Sequence, residues 1–170
     1  MKNRLKNKEN TIVINVNDEN VYGEYGYEGQ EHLESSLVST LQELAASRAT
    51  KEQLTIKVKE NSKIEINEEK FVDAYKNTFN NLIDGKQHEI SRCLTTGVIL
   101  SFIGILLLTL FVFVFQYMHD AVVVFTELIT WVFSWCAVET LTIELIQLYI
   151  DRAKLKRLLN ANIVIVQEEE

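Results

Sequence analysis

The chain has 170 residues, a net charge of −7 and 47% hydrophobic residues, a length that suits one domain of ordinary size. Its acid is dispersed apart from the Glu168–Glu170 tail, and it lacks the concentrated basic face that nucleic-acid binding requires, so no nucleic-acid partner is expected. Cys93 and Cys136 form no CxxC pair and His32, His88 and His119 are scattered, so neither a metal site nor a cofactor is expected.

The elements follow in chain order. MKNRLKNKEN (1–10) is a basic tail, either solvated or resting on anionic lipid. No apolar run follows it, so a signal peptide is not expected. TIVINV (11–16) alternates, with Ile12, Ile14 and Val16 on one face, and predicts a strand. DENVYGEYGYEGQ (18–30) carries Gly23, Gly26 and Gly29 with no following Lys or Ser/Thr. It reads as a turn in which Tyr22, Tyr25 and Tyr27 pack, and not as a phosphate cradle. Residues 29–48 predict an amphipathic helix through Leu33, Leu37, Leu41 and Leu44. LTIKVK (54–59) and KIEIN (63–67) predict a β-hairpin, followed by a helix capped at Asn67. That helix sets Phe71, Tyr75, Phe79 and Leu82 at core spacing, and Gly85 is expected to end or bend it.

Charged side chains, dense up to Arg92, vanish until Asp120 and become dense again from Asp151. Segregation of this kind sorts a chain between two solvents. VILSFIGILLLTLFVFVF (98–115) is long enough to cross most of a hydrocarbon layer. QYMHDA (116–121) is a short break before a second apolar stretch to residue 150. The expectation is a transmembrane hairpin over 93–150, with spans near 94–118 and 121–148. The loop has no Lys or Arg, whereas Lys86 and Arg92 precede the first span and Arg152, Lys154, Lys156 and Arg157 follow the second. The positive-inside rule therefore places both termini in the cytoplasm and the protein, as a multi-pass chain, in the cytoplasmic (inner) membrane.

The hairpin offers two sets of candidate residues. Gly97, Ser101 and Gly104 recur at i, i+4, i+7, and Thr130, Ser134 and Ala137 repeat that spacing at matching depth. Such small-residue stripes let two helices approach closely, within one chain or between two copies. Glu127, Trp131, Trp135 and Glu139 are each four residues apart and share a face. That face serves a partner contact or an ion path, or simply meets lipid. Glu139, about 29 Å along the helix from the loop, reaches the cytoplasmic interface with Glu144. Glu127, about 11 Å along, lies either at the outer interface or within the outer leaflet, where a central carboxylate costs up to ~3 kcal/mol. Cys93 sits about 15 Å deeper than Cys136, beyond disulfide reach, which predicts two free thiols.

After the second span, 151–159 continues as a stem with Leu155, Leu158 and Leu159; Asn160–Asn162 breaks it; and IVIV (163–166) predicts a last strand. The order β-α-β-β-α, hairpin, β points to an α+β fold. It is expected to be a ferredoxin-like split βαβ cytoplasmic domain of residues 11–92 and 151–167, with the hairpin inserted before its last strand. The outward sheet face would carry Val13, Asn15, Lys57, Lys59, Lys63 and Glu65, without the aromatics of an RNA-binding sheet. No nucleophile-and-base set stands out. The reading is a non-enzymatic membrane protein whose cytoplasmic domain binds another protein or a second copy. The alternative is a small channel or transport subunit using Glu127 and Glu139.

WVFSWCAVETL and DRAKLKRLLNANIVI resemble the C-terminal part of an uncharacterised family of small bacterial membrane proteins. The likeness is firmest over residues 126–166 and architectural over the first ninety. It implies a cytoplasmic α/β piece, a two-helix membrane hairpin, a basic stem and a closing strand in the cytoplasmic membrane, and carries no assigned activity.

Overall fold

The computed structural model describes residues 10–16, 21–23, 31–48, 53–60, 67–114, 117 and 119–167. Three strands, β1 (Thr11–Val16), β2 (Thr55–Glu60) and β3 (Asn162–Gln167), form one sheet in the order β1-β2-β3. Both pairings are parallel, with Ile12 beside Ile56 and Ile56 beside Ile163. Parallel neighbours need crossover connections. Helix α1 (Ser35–Ala46) lies in the first. The second runs from residue 61 to 161 and contains α2 (Glu68–Val114), α3 (Asp120–Glu139), a π-helical segment (Thr140–Glu144) and α4 (Leu145–Leu159).

The mixed α+β class agrees with the sequence, but the strand neighbours correct it. A split βαβ sheet would set an antiparallel strand between β1 and β2, and those two pair directly. The hairpin expected between LTIKVK and KIEIN does not form along β2 either, because β1 and β3 occupy both of its edges over Thr55–Glu60. Residues 61–66, with Lys63 and Glu65, lie outside the described residues, as do the 1–10 tail before Asn10, residues 24–30 and the acidic tail.

Contacts divide the chain into two units, one of residues up to Asp84 together with those from Arg152, the other Gly85–Asp151. The first unit's core lies on the sheet face carrying Ile12, Ile14, Leu54, Ile56 and Val58. Val38, Leu41 and Ala45 of α1, Phe71, Tyr75 and Phe79 of α2, and Leu155 and Leu158 of α4 complete it. The spacing of Phe71, Tyr75 and Phe79 brings their rings together, Phe71 stacked on Tyr75 and the Tyr75 and Phe79 rings tilted at 44° with centroids 4.6 Å apart. Each buried ring contributes about 1.5–3 kcal/mol. The other sheet face is open: Lys57 is exposed, Val13 is 50% exposed and Val166 39%.

Two helix boundaries differ from expectation. Helix α1 starts at Ser35 and not near residue 29, because Leu33 is drawn into an antiparallel bridge with Tyr22 and is buried. Its backbone N–H donates to Thr78 Oγ1 at 2.9 Å. Helix α2 starts as predicted, with the Lys70 N–H donating to Asn67 Oδ1. It then passes through Gly85 without a break. One interior glycine costs about 1 kcal/mol of propensity, too little to interrupt a cooperative helix of 47 residues.

In the second unit, α2 and α3 run antiparallel. Gly104 faces Ser134, and Gly97 faces Leu141. Both helical stretches are long and apolar enough to cross a membrane, with mean hydropathies of 2.6 and 1.6 and only 11% of each apolar window buried. Phe102, Ile105, Phe113 and Phe125 are all more than 60% exposed.

Candidate membrane site

The seam between α2 and α3 is built from small side chains. Thr130 and Ala137 are buried. A Cβ placed on Gly104 would sit 3.4 Å from Ser134 Oγ, an ordinary contact. A Cβ on Gly97 would overlap the Leu141 side chain, so the missing side chain at 97 is what admits Leu141. The hydroxyls turn inward upon their own helices. Ser101 Oγ donates to the Gly97 carbonyl, Ser134 Oγ to that of Thr130, and Thr130 Oγ1 to that of Thr126, each within 2.9 Å. Back-bonding of this sort satisfies the donors without water. Beside the seam is an open groove of about 340 Å³ lined by Ser101, Gly104, Leu108, Ser134, Val138 and Leu141 among others.

The second candidate set is not in the seam. Trp131 and Trp135 are 65% and 57% exposed, and their rings stack at 5.9 Å with 16° between planes. Glu127 and Glu139 are exposed, and among the described residues neither has an ionic partner. Helix α3 thus has two distinct faces, one of small residues packed against α2 and one of paired indoles flanked by carboxylates.

Sequence reasoning missed the π-helical segment. The TLTIE run (140–144) has no local pattern that separates it from the α-helix on either side. Thr140 is buried, and its carbonyl accepts from Cys93 Sγ at 3.4 Å. Glu144 Oε2 lies 4.0 Å from the same sulfur. Single-turn π-segments inside α-helices occur mostly as local bulges, often at functional positions. Here the bulge presents Leu141 to Gly97 and the Thr140 carbonyl to Cys93. Cys93 and Cys136 are both free thiols.

A polar cluster lies in the first unit. Lys70 Nζ lies 2.9 Å from Glu31 Oε1 and 4.8 Å from the centre of the Tyr22 ring. Burial pushes the Tyr22 phenol above its ordinary pKa, the Lys70 charge opposes that shift and the Glu31 charge adds to it. The ammonium of Lys70 is likewise raised, first by its hydrogen bond to Glu31. The cluster ties the segment before α1 to the first turns of α2, and its exposed ion pair is a weak tether. Among the described residues, no three His, Cys, Asp or Glu side chains gather as metal ligands.

Comparison of the chain with protein-family models, with curated proteins and with solved structures finds no match.

Proposed function

We propose that this is a non-enzymatic integral membrane protein of the cytoplasmic (inner) membrane. Helices α2 and α3 form a hairpin through the bilayer, both termini are cytoplasmic, and the α/β domain binds another protein or a second copy beside the membrane. The observation that carries the reading is the contrast between the two units. The first encloses a closed core, whereas the apolar windows of the second are only 11% buried. A soluble core helix hides most of such a window, and only lipid or protein can cover one left bare. The basic residues on both cytoplasmic flanks of the hairpin support the orientation.

An interaction role is supported by the open face of the sheet. Parallel sheets are usually covered on both faces. Here Val13 and Val166 are exposed on the same face as the exposed Lys57. Crosslinking in native membranes with a short amine-reactive reagent tests this reading. The expected result is a discrete crosslinked species whose yield falls in a Val13→Asp/Val166→Asp variant. Recovery of the wild-type chain solely as an uncrosslinked monomer would contradict it.

A further inference from the structure

The ridge of Trp131 and Trp135 and the groove beside the seam are neighbours on one helix. Ser134 lines the groove and is three residues from Trp131; Val138 lines it and is three residues from Trp135. Residues three apart adjoin on a helix surface. The level of each feature is set by the Gly104–Ser134 contact. The groove extends along α2 from Ser101 to Leu108, and from Ser134 of α3 to Thr142 of the π-helical segment. Leu108 lies about 6 Å nearer the interhelical loop than Gly104, which is the level of Trp131. A projecting ridge and an open groove therefore sit side by side at one depth.

We infer that a second copy of this chain docks here, each copy seating its Trp131–Trp135 ridge in the groove of the other. The inference rests on the proposal that these helices cross the bilayer. A two-fold axis along the membrane normal keeps every residue at its own depth, so a face with ridge and groove at matching levels is self-complementary. The area is adequate. With the indoles 65% and 57% exposed, burying four of them removes roughly 500 Å², and the receiving walls lose a similar amount. The total of about 1,000 Å² is where specific interfaces begin. In lipid the gain comes from close packing and not from release of water, and a shaped groove accepting a rigid ring provides it.

Trp131 and Trp135 are the chain's two tryptophans, so its tryptophan fluorescence, excited selectively over tyrosine, reports on this face alone. The full chain is reconstituted in vesicles with brominated acyl chains, at decreasing protein density, beside a Val138→Phe variant that fills the groove mouth and a Trp135→Ala variant that shortens the ridge. Flotation with the vesicles tests the membrane reading separately: a chain that stays behind refutes that reading, whereas one that floats leaves the docking question to the fluorescence. At high density the wild-type indoles should be protected from bromine, with quenching rising at least two-fold on dilution. Energy transfer between labelled copies should report association weakened at least ten-fold in Val138→Phe and in Trp135→Ala. Full quenching of the wild type at every density would mean that acyl chains occupy the groove and would overturn the inference. So would a monomeric purified chain, as expected if the occupant is a different protein, or association unchanged in Val138→Phe.

Discussion

The Tyr75 hydroxyl donates to the carbonyl oxygen of Leu158 across 2.6 Å, in the buried core. The two residues are 83 positions apart, on either side of the apolar hairpin. This bond fastens the stem after the second span to the helix before the first, and it sets β3 up to enter the sheet. Removing the hydroxyl leaves the Leu158 carbonyl buried without this donor. The carbonyl keeps the Ala161 N–H as a donor, so Tyr75→Phe should lower the stability of the first unit by about 0.5–1.5 kcal/mol. Chemical denaturation of the solubilised chain, followed by a probe in the first unit, measures it. The apolar hairpin should be unaffected.

The same phenol gives a pH signature. Burial pushes the Tyr75 pKa well above its ordinary value. The folded chain then holds this proton more tightly than the unfolded chain, whose tyrosines titrate near pH ~10. The stabilisation is complete below that pH and is lost as pH rises towards the folded value. Wild-type stability should fall above about pH 10, and Tyr75→Phe should flatten most of the fall. The raised Tyr22 phenol acts in the same direction and leaves a smaller residual slope.

Thr78 serves the start of α1 from a distance. Its hydroxyl accepts from the Leu33 N–H and donates to the Ala74 carbonyl. Thr78→Val keeps the shape and strands the buried N–H, at a cost of about 1–3 kcal/mol, whereas Thr78→Ser retains both bonds. Thermal unfolding of the three chains should order them wild type, Ser, Val. A Val variant as stable as wild type would show that Leu33 finds another acceptor.

The seam glycines should respond in opposite ways. At Gly97 an added methyl overlaps Leu141, which must move against the π-helical segment. At Gly104 it meets Ser134 at ordinary contact distance. Gly97→Ala should destabilise the hairpin by about 1–3 kcal/mol through overpacking. Gly104→Ala should be neutral or slightly stabilising, since alanine gains up to about 1 kcal/mol of helix propensity. Resistance of the hairpin to denaturing detergent distinguishes them.

Much of the local structure was legible in the sequence. Alternation marked TIVINV as a strand because one sheet face is buried and the other is not, and a β-branched run marked IVIV. Asn67 with Glu68 and Glu69 marked a helix start, and the charge-free run after Arg92 marked the apolar helices. Strand neighbours were not legible. Apolar alternation says which way a side chain points but not which strand lies beside it, so LTIKVK was paired with KIEIN instead of with β1 and β3. Gly85 misled because propensity is a small local term beside the cooperativity of a long helix. The small-residue stripes located Gly104 against Ser134, as their spacing suggested. They did not locate Leu141 against Gly97, because the π-helical segment advances the register by a residue and leaves no apolar period to betray it. Trp131 and Trp135 were recognised as one face. Whether that face is bare or covered depends on neighbours that a single sequence does not contain.

The central claim is that the chain crosses the bilayer twice and returns to complete its own sheet. Labelling intact cells with a membrane-impermeant maleimide tests it most directly. Single cysteines would replace the exposed residues Glu68, Tyr117 and Asn160 in a chain whose Cys93 and Cys136 are serine. The account predicts that Tyr117→Cys labels in intact cells, while Glu68→Cys and Asn160→Cys label only after the inner membrane is opened. Labelling of Glu68→Cys and Asn160→Cys from opposite sides, or recovery of the chain in the soluble fraction, would contradict it.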